Sequence, residues 1–429
     1  MGFLKNKFIG NVSWVLIGNV LHALFQFIIN IIAARILTEH DYGLINYAIS
    51  IVALFTSVGT LGFNGVITKK FAEDENLGGK YLLSAIIGRF VISIPFILCI
   101  LIIGFIHSPG DHVLHKVLLC QGLTVLYSSG DLFIYWFRYK YKANLVAILR
   151  LIAFAIMAIW RIVALLVFNS LIGYVIGTTG ETLIFVILLV YFYVKQSQPK
   201  LLFDSSYLIN LLKISYPFIF SALLATVYGQ TDKIMLESML NTESVAVYSV
   251  SLTLAGAISI IPTAIIEGFR PEILRFKEID VEIYKRRLRQ VYCVVFWTCI
   301  AYCIFITLFA KQIILLLYGN KYLEASGSLS LIVWYTSFSY FGGINNIYMV
   351  AENRVKWVQV TTLIGAITNI GLNFLLIPKM GIVGAALASL LTQIITNFVL
   401  LYMIKQLRGC FFLQLQGICN IDCFKYKHI

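Results

Sequence analysis

The stretch YLLSAIIGRFVISIPFILCILIIGFI, residues 81–106, runs for 26 residues with a single charge, Arg89, and a single proline, Pro95. About 20 mainly apolar residues suffice for a helix to cross about 30 Å of hydrocarbon, so this stretch reads as a transmembrane helix. Eleven further stretches read the same way, giving twelve spans near 9–34, 42–68, 81–106, 113–137, 144–168, 171–194, 214–240, 245–268, 291–318, 326–350, 357–377 and 382–404. They use most of the 429 residues, of which 60% are hydrophobic and 12% charged. A soluble chain carries about 45–50% apolar and about 25% charged residues. The longest polar stretches left over, 195–213, 269–290 and 405–429, are too short to bury cores of their own, which excludes a soluble catalytic domain. The fold class is therefore an all-α polytopic membrane protein. Lys5 and Lys7 precede the first apolar run, but that run is too long for the apolar region of a cleaved leader and reads as a span. Cys99, Cys120, Cys293, Cys299 and Cys303 fall inside spans, where a thiol acts as a small hydrophobe. Cys410, Cys419, Cys423 and His428 match no zinc spacing, so no metal and no cofactor is expected.

An even number of spans puts both termini on one side. The connections on that side hold 24 lysines and arginines, those on the other side 4, namely Arg35, Lys311, Lys321 and Lys379. The positive-inside rule then places both termini in the cytoplasm. The net charge of +13 is a signal of topology and of anionic lipid, with no nucleic acid implied.

Offsetting the chain by 203 residues superposes Ile36-Leu37-Thr38-Glu39 on Met239-Leu240-Asn241-Thr242, each at the start of a helix bearing Tyr and Ser. Six spans plus six with the same starting side form a parallel repeat, an arrangement that places a transport path between halves. The expected organisation is an N-terminal six-helix lobe at 1–194, a cytoplasmic linker at 195–213 containing Pro199, a C-terminal six-helix lobe at 214–404 and a cytoplasmic tail at 405–429.

Polar residues recur at helical spacing inside several spans. Asn19, His22, Gln26 and Asn30 share one face of the first. Gln121, Thr124, Ser128, Asp131 and Tyr135 do so in the fourth, Thr226, Gln230, Lys233 and Glu237 in the seventh, and Thr362, Gly365, Asn369 and Asn373 in the eleventh. Small and hydroxyl residues commonly glue helices together, whereas stacked amides and charges favour a water-filled path. The intramembrane charges are Arg89, Lys116, Arg150, Arg161 and Lys233 against Asp131, Glu181, Asp232, Glu237 and Glu267. Arg150 and Arg161 stand eleven residues apart, three helical turns, on one helix face. Two guanidiniums on one wall suit a phosphate, because each offers a planar fork of donors that keeps its proton. Arg89, Lys233, Gln26 and Asn30 are the further candidate substrate contacts. Snorkelling is the alternative for Arg89 and Lys116, and a neutralised structural cluster is the alternative for Lys233 beside Asp232 and Glu237. Asp131, Glu181, Asp232, Glu237 and Glu267 either balance the cations or carry a coupling proton.

Asn11-Val12-Ser13-Trp14, Ala34-Arg35-Ile36-Leu37 with Asp41-Tyr42-Gly43, Asp232-Lys233-Ile234-Met235-Leu236, Val247-Tyr248-Ser249, Arg270-Pro271 and Asn373-Phe374-Leu375-Leu376-Ile377-Pro378 follow one another in an order that resembles bacterial polysaccharide flippases of the Wzx type. That family belongs to the multidrug/oligosaccharidyl-lipid/polysaccharide exporter superfamily. The resemblance covers essentially the whole chain and implies two six-helix lobes around a central cavity with alternating access. It implies transport of undecaprenyl-pyrophosphate-linked oligosaccharide repeat units from the cytoplasmic to the periplasmic leaflet of the inner membrane, for O-antigen, capsule or exopolysaccharide. Polysaccharide polymerase and chain-length proteins would be partners beside the membrane lipids. A net cationic cavity is typical of the family, but the ten intramembrane charges here sum to zero. The rival readings are a cation-coupled drug exporter or a lipid II flippase of the same superfamily. An enzyme is not expected, since the outer loops are short and carry no paired carboxylates suited to glycosyl transfer.

Overall fold

The structure, a computed structural model, describes residues 2–196 and 199–419, with the side chains of residues 1–17 and 19 excepted. The Asn19 side chain, the Asn11-Val12-Ser13-Trp14 side chains, Cys423 and His428 therefore lie outside the described residues. The chain divides into two compact units, Met1–Gln230 and Thr231–Ile429. The first holds α1 (Gly2–Ile36), α2 (Glu39–Gly59), α3 (Ile67–Glu73), α4 (Gly78–His107), α5 (His112–Tyr127), α6 (Phe133–Tyr139), α7 (Ala143–Leu166) and α8 (Leu171–Lys195). The division falls inside α9 (Ser205–Met239). The second unit continues with α10 (Thr242–Ala255), α11 (Ile260–Ile279), α12 (Val281–Leu317), α13 (Ala325–Ala351), α14 (Lys356–Ile394), α15 (Leu400–Met403) and α16 (Arg408–Cys419).

Among the described residues, nine helical segments are long and apolar enough to cross a membrane, the last of them, Lys356–Met403, being 48 residues long. That segment is two spans folded back at Gly381, whose φ of +59° lies in the left-handed region that glycine enters without a Cβ penalty. A Cβ on Gly384 would stand 2.4 Å from the Leu376 carbonyl oxygen, so the two arms of the turn meet backbone to backbone. Counting this segment twice and adding α1 and α13 gives twelve spans, the all-α architecture expected from the sequence.

Local chemistry sets the helix starts. Thr38 accepts from the Asp41 amide at 3.0 Å and opens α2. Asn241 accepts from the Ser244 amide at 2.9 Å and opens α10. These two caps are 203 residues apart, the offset of the repeat, so the weak sequence similarity coincides with the same device at the same point of each half. Asp111, Ser170 and Asp280 cap α5, α8 and α12 in the same way.

Burial follows the helix period. On α4, Phe90, Val91, Ile94, Leu98, Ile102 and Phe105 are exposed along one stripe, while Arg89, Ser93, Ile100 and Gly104 are buried on the opposite one. An exposed apolar stripe on a span is the face that lipid covers. Inside unit 1, fully buried Trp136 packs edge-on to Phe71 with ring centroids 5.1 Å apart. Inside unit 2, Tyr292 stacks on Phe341 at 6.0 Å. Three stretches expected as polar connections are largely helical. Residues 205–213 begin α9, most of 269–290 belongs to α11 and α12, and the tail contains α16, packed on α12.

Candidate functional site

In unit 1 the polar stripe of α1 meets charges from α7 and α8. Arg161, 1% exposed, donates from Nη2 to Glu181 Oε2 at 2.7 Å and from Nη1 to Gln26 Oε1 at 3.0 Å. The Nε of Arg161 donates to the Met157 carbonyl at 3.3 Å. Gln26 in turn donates to Asn30 Oδ1 at 2.9 Å, and the other Glu181 oxygen meets His22 Nε2 at 3.0 Å. Space for the guanidinium stem comes from Gly177 on α8, where a Cβ would stand 2.4 Å from Arg161 Cγ. The Arg161 donors are thus largely satisfied within the protein. A buried arginine held by a carboxylate and an amide is fixed in direction, since its planar fork matches both partners.

Arg150 differs. It faces the same helix, with its guanidinium 5.0 Å from the Phe185 ring centroid, one turn from Glu181. It makes no hydrogen bond or ion pair among the described residues. It lines a cavity of about 150 Å³ together with His22, Asp131, Glu181, Thr182 and Phe185. Asp131, in the short 3-10 stretch Ser128–Leu132 that joins α5 to α6 within one span, lies within the electrostatic reach of both Arg150 and Arg89. Arg89 itself is 3% exposed and spent on backbone geometry, donating to the Thr60 carbonyl at 2.9 Å and to Asn64 Oδ1 at 2.6 Å. It holds the connection that ends α2, a placement different from a cavity wall.

In unit 2 the centre is Asp232, 7% exposed on α9. Its Oδ1 accepts from Asn373 Nδ2 at 2.7 Å, and its Oδ2 accepts from the Ser389 and Tyr248 hydroxyls at 2.5 Å each. Asn369 donates to Ser389 Oγ at 3.0 Å and accepts from Asn373 at 3.2 Å, closing a ring of neutral groups around one carboxylate. The Asn373 Oδ1 is buried without a hydrogen-bond partner among the described residues. Lys233 interacts electrostatically with Asp232, its chain neighbour, and forms no ion pair among the described residues. Glu237 accepts from the Thr242 hydroxyl at 2.9 Å. Glu267 stands apart, paired with Arg270 at 2.7 Å in the middle of α11.

The candidates read from sequence thus gather into two groups. Gln26, Asn30, Asp131, Arg150, Arg161 and Glu181 share unit 1, and Asp232, Lys233 and Glu237 share unit 2. Sequence reasoning left His22, Tyr248, Ser389, Asn369 and Asn373 without a named role. For the asparagines and His22 the signal was the polar stripe, and for Tyr248 the motif around it. Ser389 offered none, because a lone serine in an apolar span is ordinary.

Twelve spans in two repeated halves, with charged and amide groups buried inside the spans, define a multi-pass membrane protein of transporter type. The match to the family described as polysaccharide biosynthesis protein extends over residues 8–271, and the chain belongs to that family. It is 23% identical to the capsular polysaccharide biosynthesis protein CapF of Staphylococcus aureus, over 92% of this chain and 99% of that one. Among solved structures it is similar to the lipid II flippase MurJ in an inward closed conformation, with a TM-score of 0.74 at 15% identity, covering 97% of this chain and 93% of that one. It is also similar to an inward-facing multidrug resistance MATE family transporter of the MOP superfamily, with a TM-score of 0.68 at 14% identity, covering 93% and 96%. The family and the fold are those that the sequence motifs implied.

Proposed function

We propose that this protein is a flippase that moves undecaprenyl-pyrophosphate-linked oligosaccharide repeat units from the cytoplasmic to the periplasmic leaflet of a bacterial inner membrane, with both termini in the cytoplasm. The observation that carries the reading is Arg150, a guanidinium without ion pair or hydrogen bond among the described residues, facing a cavity within the spans that His22, Asp131, Glu181, Thr182 and Phe185 also line. An unpaired cation inside a membrane is costly and is retained where a ligand supplies the missing charge. A diphosphate supplies it, and the polar stripe of α1 offers amides to the sugar, while the polyprenyl tail stays in lipid. Arg161 acts beside it as a second cation, held ready by Glu181 and Gln26. Asp232, ringed by neutral donors, is the coupling acid in this reading. Glu237 and Glu267 balance charge, Lys233 is a further substrate-facing cation, and Arg89, engaged by Thr60 and Asn64, has a structural role.

Deletion of the gene should cause undecaprenyl-pyrophosphate oligosaccharide to accumulate in extracted lipids while surface polysaccharide is lost. The intact gene should restore export, and Arg150→Ala should insert normally and fail to do so. Asp232→Asn should remove any dependence of export on the ion gradient. Unchanged surface polymer with no lipid-linked intermediate would favour the cation-coupled exporter instead, and accumulation of lipid II would favour the lipid II flippase.

A further inference from the structure

Outside the clusters within the spans, unit 1 contains a cavity of about 670 Å³ on the lysine-rich side of the membrane. Lysines from three separate connections converge on it. Lys80 comes from the first turn of α4, Lys140 and Lys142 from the α6–α7 turn, and Lys200 from the segment leading into α9. One acid, Glu75, lines the cavity with them, and it is already engaged by the Lys140 ammonium and by the Tyr139 hydroxyl at 3.3 Å. Lys142 donates to the Gln196 side chain. Lys80, 5.7 Å from the Tyr207 ring centroid and within electrostatic reach of Asp204, and Lys200 form no ion pair among the described residues.

The walls are fixed at the level of the backbone. A Cβ on Gly79 would stand 2.3 Å from the Lys200 carbonyl oxygen. The Tyr193 hydroxyl donates to the Pro199 carbonyl at 2.8 Å. The Ser84 hydroxyl donates to the Asp204 carbonyl and accepts from the Asp204 amide, each at 3.0 Å. Membrane orientation needs lysines on this side only in number, and solvated ones serve. It does not need four of them around one cavity with a packed rim. Lysine ammoniums are compact point charges that bind phosphate, and basic pockets at the cytoplasmic ends of spans hold phosphate headgroups.

We propose that the cavity lined by Lys80, Lys140, Lys142 and Lys200 binds the phosphate or diphosphate headgroup of a membrane lipid, as a surface site separate from the groups within the spans. The leaflet in which it acts rests on the orientation proposed above; the binding itself does not. The test uses the full-length protein in phosphatidylcholine nanodiscs that contain either cardiolipin or undecaprenyl diphosphate. Lipid retention is read by native mass spectrometry, with inorganic pyrophosphate as competitor. K80Q/K200Q should retain one or both lipids at least about tenfold more weakly, while K80R/K200R and the remote K285Q bind as the unaltered protein does. Loss in the cardiolipin arm alone assigns the phosphate to bulk lipid, and loss in the undecaprenyl diphosphate arm assigns it to the carrier. Equal retention of both lipids by K80Q/K200Q and the unaltered protein, at equal melting temperature, overturns the proposal. Arg150→Ala should retain lipid at this site while losing export, so failure here and failure of the flippase reading give different patterns.

Discussion

At the scale of residues, the two arginines of α7 have the same chemistry and different surroundings, and that difference is testable. Removing the Glu181 carboxylate by Glu181→Gln leaves the Arg161 guanidinium buried without its counter-charge, which costs about 3–5 kcal/mol. Arg150→Ala gives up a cation–π contact and the attraction of Asp131 with no hydrogen bond or ion pair, and should cost about 1 kcal/mol. Thermal unfolding in detergent should therefore show a large drop for the first and a small one for the second, while export falls in both. A reversed order would contradict the assignment of Arg161 to the fixed pair and Arg150 to the ligand. Outside the spans, the hydrogen bond from Lys140 holds the Glu75 carboxyl below its usual value of 4.5. Its contribution to stability is present above the unfolded value and is lost as pH falls through the lower folded one. Because Glu75 is 48% exposed the effect is small, and Glu75→Gln should lower the neutral part of a melting-temperature profile slightly and flatten its acid limb below about pH 5, where the contribution is already lost. The eleven-residue spacing of Arg150 and Arg161 announced a shared face, and both do meet α8. What the spacing could not announce is the partner: Glu181 lies 159 residues from His22, and only the packing of α1, α7 and α8 brings them together.

At the scale of elements, the two halves begin their second helix with the same cap, and the caps should behave alike. Thr38→Ala and Asn241→Ala each remove the acceptor for one orphan amide and should each cost about 1 kcal/mol, measured as shifts of thermal midpoint of similar size. A large effect in one half only would mean that the caps are not equivalent parts of a repeat. Spans were legible because their length and apolar content are dictated by the bilayer. The helices at residues 205–213, 269–290 and 408–419 were not, since a helix end that leaves the hydrocarbon carries charges freely and hydropathy alone reads it as a loop. The turn at Gly381 was legible only as a boundary. That one residue in the left-handed region reverses the chain depends on the contact of Gly384 with Leu376, which no local pattern encodes.

At the scale of the whole molecule, the ten charges inside the spans sum to zero, yet they are not all equivalent. Arg161 is matched by Glu181, Glu267 by Arg270, and Asp232 by neutral donors, while of the cations with no ion pair or hydrogen bond among the described residues, Arg150, Lys116 and Lys233, Arg150 lines a cavity within the spans. A count of charges from sequence sees balance, and the pairing sees a site. The central claim is that this site lets a lipid-linked diphosphate cross. The direct measurement is to reconstitute the purified protein in proteoliposomes with undecaprenyl-pyrophosphate oligosaccharide and to follow its appearance in the opposite leaflet by enzymatic accessibility of the sugar. The account predicts translocation with the unaltered protein, little above protein-free vesicles with Arg150→Ala, and no difference in the amount of protein inserted. Equal translocation by Arg150→Ala and the unaltered protein, or none by the unaltered protein while it moves lipid II or a cationic drug, would contradict it.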